Sequence, residues 1–238
     1  MKKLFAILLV LFSVLVFVPV TAAQENFRSD EVSTLEKNEI INKDYFATGE
    51  KVTLSGTVNG DAYLAGGNII VDGVVNGDLL VAGGDINIRG EVKGDVRAAG
   101  GSIQIDGQVG GNITTMGGSV RIDDNAEVGG SLVAGAGKID VLGPLGRGIT
   151  AGAGSLTIAN KVGADVFAGV EELDLTSNAS ISGNLNYISQ EKANISQDAS
   201  ITGTTKHEMP PEEEQEKENF LEALNIGWTV FKFLSSLA

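Results

Sequence analysis

Chemistry in this chain of 238 residues would have to come from carboxylates, because other reactive side chains are scarce. It has no cysteine. That excludes thiol nucleophiles, disulfides, a lipidated cysteine and thiolate metal sites. The single histidine, His207, follows the repetitive centre of the chain in a stretch that reads as linker. Residues 46–206 therefore lack the imidazole base that acyl transfer on a β-solenoid normally uses. Carboxylates do recur. Asp61, Asp78 and Asp95 stand 17 residues apart, and Asn112 and Ser131 follow in the same place. Such a column could imitate a catalytic or calcium-binding array. Each Asp, however, follows a Gly, and Asp in that setting is a turn residue whose recurrence follows from the repeat. The calcium-binding nonapeptide is not matched, since Gly-Gly is followed by apolar alternation. Thr114, Thr115, Thr150 and Thr157 fall in different columns and make no flat ladder for ice. No acid/base constellation can be named, so the chain reads as a non-enzyme without cofactor or metal.

The elements that place these residues are repeats. Residues 56–72 run G-T-V-N-G-D-A-Y-L-A-G-G-N-I-I-V-D, and units of the same 17-residue length begin at Gly73, Gly90 and Gly107. The unit at 124–142 is longer by two residues, around Asp124-Asn125-Ala126. Units at 143–159 and 160–176 return to 17, and 177–196 is longer and eroded. Four apolar columns run through the units, headed by Val58, Ala62, Ile69 and Val71. Apolar and polar residues alternate within each unit, as in half-buried strands. One unit cannot bury its own apolar face, but stacked units can. The fold class is thus all-β: a single-stranded parallel β-solenoid over 46–206, with roughly nine rungs about 4.8 Å apart. The Gly pairs at Gly66, Gly83, Gly100 and Gly117 are expected to turn a corner at positive φ. Turns near Asn125, Asn178 and Asp198 read as a longer version of another corner.

The flanks differ in character. Lys2-Lys3, the apolar run Leu4–Val18 and the small residues Ala22-Ala23 make residues 1–23 a secretory signal peptide. Residues 24–45 are polar and lack the glycine pattern. They read as a surface cap, with a short helix around Asp30–Asn42. Residues 207–219 hold Pro210-Pro211 followed by Glu212, Glu213, Glu214, Glu216 and Glu218, a solvated acidic linker. Residues 220–238 are mostly apolar with helical spacing, and Trp228, Phe231 and Phe233 would contact a membrane. The alternative is a helix folded on the solenoid end. A net charge of −14 and the lack of a basic cluster exclude nucleic acid as a partner.

The units V-x-G-D-φ and G-x-φ-x-I-x-G in one small solenoid resemble bactofilins, bacterial polymer-forming cytoskeletal proteins, over about 160 residues. The resemblance implies a right-handed β-helix that polymerises end to end without nucleotide. It also implies membrane association and a role in cell shape or envelope organisation. The signal peptide points to an exported or membrane-anchored branch, outside the cytoplasm. The first expectation is therefore a self-assembling envelope scaffold, a homopolymer whose open edges lie at Val52 and Leu54 and at Ile195 and Ile201. The second is a rigid surface module that binds glycan or peptidoglycan. Closed polar ends would favour the second. Export is checked by N-terminal sequencing of the mature protein, which is expected to begin at Ala23 or Gln24. An intact Met1 in soluble cytosol would refute it.

Overall fold

The structure is a computed structural model that describes residues 27–210. Residues 1–23, expected to be a signal peptide, most of the expected acidic linker and the apolar segment 220–238 lie outside the described residues. Ala23–Met209 form one compact unit. The described chain is a parallel β-solenoid of about 11 turns with about 17 residues per turn. Each full rung has one ten-residue strand, such as Ala62–Val71 or Val96–Ile105, and one two-residue strand, such as Thr57–Val58. The long strands stack into one sheet of 13 strands. The short strands stack into sheets of six and three, joined only by bridges through Leu145. The break falls at Pro144, which has no N–H to give to a ladder.

All four apolar columns are in register. Val58 pairs with Val75, Ala62 with Leu79, Ile69 with Ile86 and Val71 with Ile88. A fifth inward column runs Ala47, Leu64, Val81, Ala98, Thr115, Ala134, Ala151, Ala168 and Tyr187. Together these form one continuous buried core.

The solenoid begins earlier than the repeat suggests. Residues assigned to a cap with a helix around Asp30–Asn42 instead form β1 (Phe27–Ser29), β2 (Val32–Leu35) and β3 (Ile40–Ile41). They pair with Tyr45–Leu54 and Thr57–Val58 as a further rung. This rung lacks the glycine signature, as expected where no rung among the described residues lies beneath it to crowd its backbone. At the other end the linker boundary also moves, since His207 lies in the strand Thr205–Glu208. The longer corner is a β-turn closed by Ala126 N–H to Asp123 O, Ala179 N–H to Thr176 O, and Ala199 N–H to Ser196 O. The first rung has the same turn, from Glu39 N–H to Glu36 O.

The glycines do not act as expected. No described glycine has positive φ. Gly66, Gly83, Gly100 and Gly117 sit inside the ten-residue strands, where the rungs come too close for a side chain, and the column admits one only further on, as Ala136, Ala153 and Val170. A Cβ on Gly66 would lie 2.4 Å from the Gly49 carbonyl oxygen, and one on Gly107, between strands, 2.0 Å from that of Gly90.

The Gly-Asp pair has a separate cause. The Oδ1 of each Asp or Asn in the column accepts the backbone N–H of the equivalent residue one rung on: Asp61 from Asp78 at 2.8 Å, Asp78 from Asp95 at 2.9 Å, Asp95 from Asn112 at 2.8 Å. That oxygen occupies the space a Cβ would need in the next rung. A Cβ on Gly77 would lie 2.2 Å from Asp61 Oδ1, and one on Gly94 2.3 Å from Asp78 Oδ1. The ladder stops where Ser131 and Gly148 occupy the column. There the position before the column residue is no longer glycine but Arg147 and then Ala164. Asp165 resumes the ladder to Asn184 at 2.7 Å, and Gly183 returns, its Cβ position 2.2 Å from Asp165 Oδ1.

Glycines with and without a neighbour should therefore respond differently to alanine. Gly94→Ala must displace Asp78 Oδ1 and is expected to cost about 1–3 kcal/mol. Gly152→Ala, whose Cβ would meet nothing within 4 Å, is expected to be neutral or to stabilise by about 0.4–1 kcal/mol. Urea unfolding of both variants checks the contrast.

Candidate functional site

The Asp column is the first candidate for chemistry, and its geometry assigns it to structure. In the ladder the Oδ1 atoms are occupied by backbone N–H groups. Of the outer oxygens, those of Asp78 and Asp95 are both held by Arg97, at 2.8 and 3.0 Å. Asp78 is held below the usual carboxylate range, first by the Asp95 N–H and then by the Arg97 guanidinium. Among the described residues no group of three or more His, Cys, Asp or Glu side chains is placed to hold a metal ion.

The ends are the second candidate. Val52 and Leu54 do not lie on an open edge. Both are fully buried, with Ser33 and Leu35 below them and Ile69 and Val71 above. The added first rung has displaced the edge to β1–β3. Ile195 ends the divided long strand of the penultimate rung and Ile201 lies in the last turn, each paired on one side only among the described residues, with Leu175 and Ile181. Trp228, Phe231 and Phe233 lie outside the described residues. Among the described residues no helix is long and apolar enough to cross a membrane.

Both ends of the core are closed by polar side chains at inward positions. Arg28 is in register with Ala47. Its guanidinium donates to the Thr34 carbonyl and to Glu39 Oε1, the latter at 2.8 Å, and stands 6.0 Å from the centre of the Tyr45 ring. Glu39 also accepts the Glu36 N–H at 2.7 Å, which with Arg28 holds its carboxyl below the ordinary range. At the other end His207 is in register with Tyr187 and stacks on it at 4.6 Å, with Nε2 2.8 Å from the Ser189 carbonyl oxygen. An inward-pointing charge is a recognised way to blunt an edge. His207 thus serves the last rung rather than a linker. The signal that could have located both caps is the spacing to the inward columns, 19 residues from Arg28 to Ala47 and 20 from Tyr187 to His207.

The third candidate is a side of the solenoid that sequence reasoning missed. The outward positions in the first half of each long strand form two columns. One runs Phe27, Phe46, Tyr63, Leu80, Arg97, Thr114, Val133, Thr150 and Phe167. The other runs Thr48, Ala65, Ala82, Ala99, Met116, Gly135, Gly152, Gly169 and Ile188. Phe46 and Tyr63 stack at 4.6 Å. The first column continues through Asn186 to Lys206 and the second ends at Glu208, so Arg97 is the one charged residue in either column before the ion-paired Lys206 and Glu208 of the last rung. The exposed large apolar residues away from the two ends, Met116 (72% exposed), Phe167 (50%), Val133 and Ile188, all belong to this side. A shallow recess of about 390 Å³ opens beside Phe167, Gly169 and Ile188. A larger groove of about 650 Å³ follows the short strands. Its floor glycines are imposed by crowding, since Cβ atoms on Gly110, Gly129, Gly146 and Gly163 would lie 2.1–2.5 Å from the preceding rung's backbone. Gly135, Gly152 and Gly169 differ, for a Cβ on any of them would meet nothing within 4 Å.

No family model, curated protein or solved structure matches the chain.

The carboxylate ladder makes a pH prediction. The lowered Asp78 carboxyl stabilises the fold fully above its unfolded value near 3.8, and that contribution is lost as pH falls through the still lower folded value. Thermal melts are expected to be flat above about pH 5 and to fall below about pH 4. Asp78→Asn keeps the acceptor, as Asn112 does naturally, and is expected to make the acid slope shallower. An unchanged slope would remove Asp78 from the ladder's pH response.

Proposed function

We propose that this chain is a non-enzymatic structural rod of the bacterial cell envelope, exported by its leader, that holds other envelope components at a set spacing. What supports this reading most is the pair of closed ends, Arg28 with Glu39 at one and His207 on Tyr187 at the other. Between them runs one unbroken stack of long strands from β1 to Thr205–Glu208. A stack whose neighbours pair along their whole length bends little, and it offers long side surfaces rather than a pocket. The partners that fit are peptidoglycan or envelope proteins, and a second copy of the chain. Membrane attachment through residues 220–238 belongs to the same reading.

One observation favours the second reading, an end-to-end polymer of the kind implied by the resemblance to bactofilins. β1, β2 and β3 each have a neighbour on one side only among the described residues, and no proline blocks them. The two readings differ in length distribution. Electron microscopy and light scattering of the mature chain, with and without nucleotide, are expected to show rods of one length. Arg28→Leu combined with His207→Leu, which replaces the polar caps by apolar surface, is expected to lengthen them. Filaments formed by the unaltered chain would overturn the closed rod in favour of the polymer.

A further inference from the structure

From the apolar side of the solenoid we infer that two copies of this chain pack against each other side by side, parallel, about a two-fold axis that runs along the rod. The inference rests on the rod reading above and adds the surface and its occupant.

Charge is the first ground. The chain carries a net charge of −14, so two copies repel across most of their surfaces. On this side the nine rungs between Phe46 and Ile188 present one charged residue, Arg97, already neutralised by Asp78 and Asp95. The opposite half of each long strand, by contrast, presents Lys51, Asp85, Arg121, Lys138, Asp140 and Glu172. A second copy can approach closely on the apolar side and not on the polar one.

Area is the second. Nine rungs at about 4.8 Å and a width of about 10 Å give about 430 Å² per copy. The total of about 860 Å² falls in the range of weak, transient interfaces, which fits a reversible dimer.

Shape is the third, and it sets the orientation. The first column is the bulkier and the second the smaller at most rungs, those of Met116 and Ile188 excepted. A two-fold axis along the rod, midway between them, lays the first column of each copy on the second column of the other at every rung. Tyr63 then covers Ala65, Leu80 covers Ala82, Val133 covers Gly135 and Phe167 covers Gly169. Each contact occurs twice, as a self-complementary interface requires. An antiparallel two-fold would set bulky column on bulky column and leave a gap over the small one. The parallel arrangement also supplies a reason for Gly135, Gly152 and Gly169, which no neighbour within the chain demands. They leave room for the partner's Val133, Thr150 and Phe167.

Sedimentation velocity of the full mature chain in mild detergent tests this. A monomer–dimer equilibrium is expected that stops at two copies. Gly152→Lys adds a charge in open space on the free chain and is expected to weaken the dimer at least about tenfold, while the circular dichroism and the melting temperature stay unchanged. Because the chain has no cysteine, Ala65→Cys gives a clean orientation test. A short bis-maleimide should join two copies at the same rung if they are parallel. In antiparallel copies centred on the middle of the face these positions are about six rungs apart, roughly 29 Å, and no product forms. A monomer at high concentration, or a dimer indifferent to Gly152→Lys, would overturn the inference. So would a monomer that uses this side to bind phosphatidylglycerol vesicles or peptidoglycan sacculi. Open-ended growth unaffected by Gly152→Lys would instead defeat the closed-rod reading along with it.

Discussion

The hydrogen bond from a backbone N–H to the Asp or Asn Oδ1 of the preceding rung is the interaction on which the rest of the architecture turns. Parallel strands leave the corners between them without regular ladder partners, and each buried or half-buried N–H there needs an acceptor. In this chain a carboxylate or amide from one rung supplies it to the next. The acceptor fills the place of a Cβ, so the next rung must have glycine at the preceding position. The motif Gly-Asp is therefore two residues with two different neighbours. Its Asp serves the rung above and its Gly yields to the rung below. Where the acceptor disappears at Ser131 and Gly148, Arg147 and Ala164 take the place of glycine. No requirement on local conformation would produce that correlation.

The same closeness explains what a rung can tolerate. Inside, a residue is pressed between its equivalents above and below, and Val, Ile and Leu exchange freely along a column because their volumes are similar. Pairs of extra residues are admitted at one corner, as a β-turn whose Ala126 or Ala179 tucks inward and is buried, and a single one in a divided strand, where the register steps from 19 residues at Gly169–Ile188 to 20 at Asp174–Asn194. The penultimate rung departs furthest. Its long strand is divided into Leu185–Ile188 and Asn194–Ile195, and the interval is held by Ser189 on the Glu171 carbonyl and by Ala193 N–H on the Tyr187 hydroxyl.

Outside, the stack itself does not dictate which residues stand in a column, so the outer columns vary in character where the inner ones do not. One half of each long strand is charged and the other is apolar and small. The ends, where a column lacks its next member, receive residues found nowhere else inside: Arg28 below Ala47 and His207 above Tyr187.

The sequence by itself determined the period, the inward columns headed by Val58, Ala62, Ile69 and Val71, and the parallel stacking. These are written as repeats, and a repeat that cannot bury its own face has one economical solution. It also located the Asp column and marked it as structural. It did not disclose the first rung, because β1–β3 lack the glycines that only a rung beneath would impose. The role of the glycines was misread for a related reason. A turn at positive φ and a close approach of two backbones both select glycine, and only the distance to the neighbouring rung separates them. The polar caps and the apolar side were decided by tertiary structure alone. Arg28 lies 19 residues from Ala47, and Phe167 shares a surface with Phe46 across a separation of 121 positions. Which residues share an end or a side depends on how the rungs are stacked, and that is fixed in space rather than along the chain.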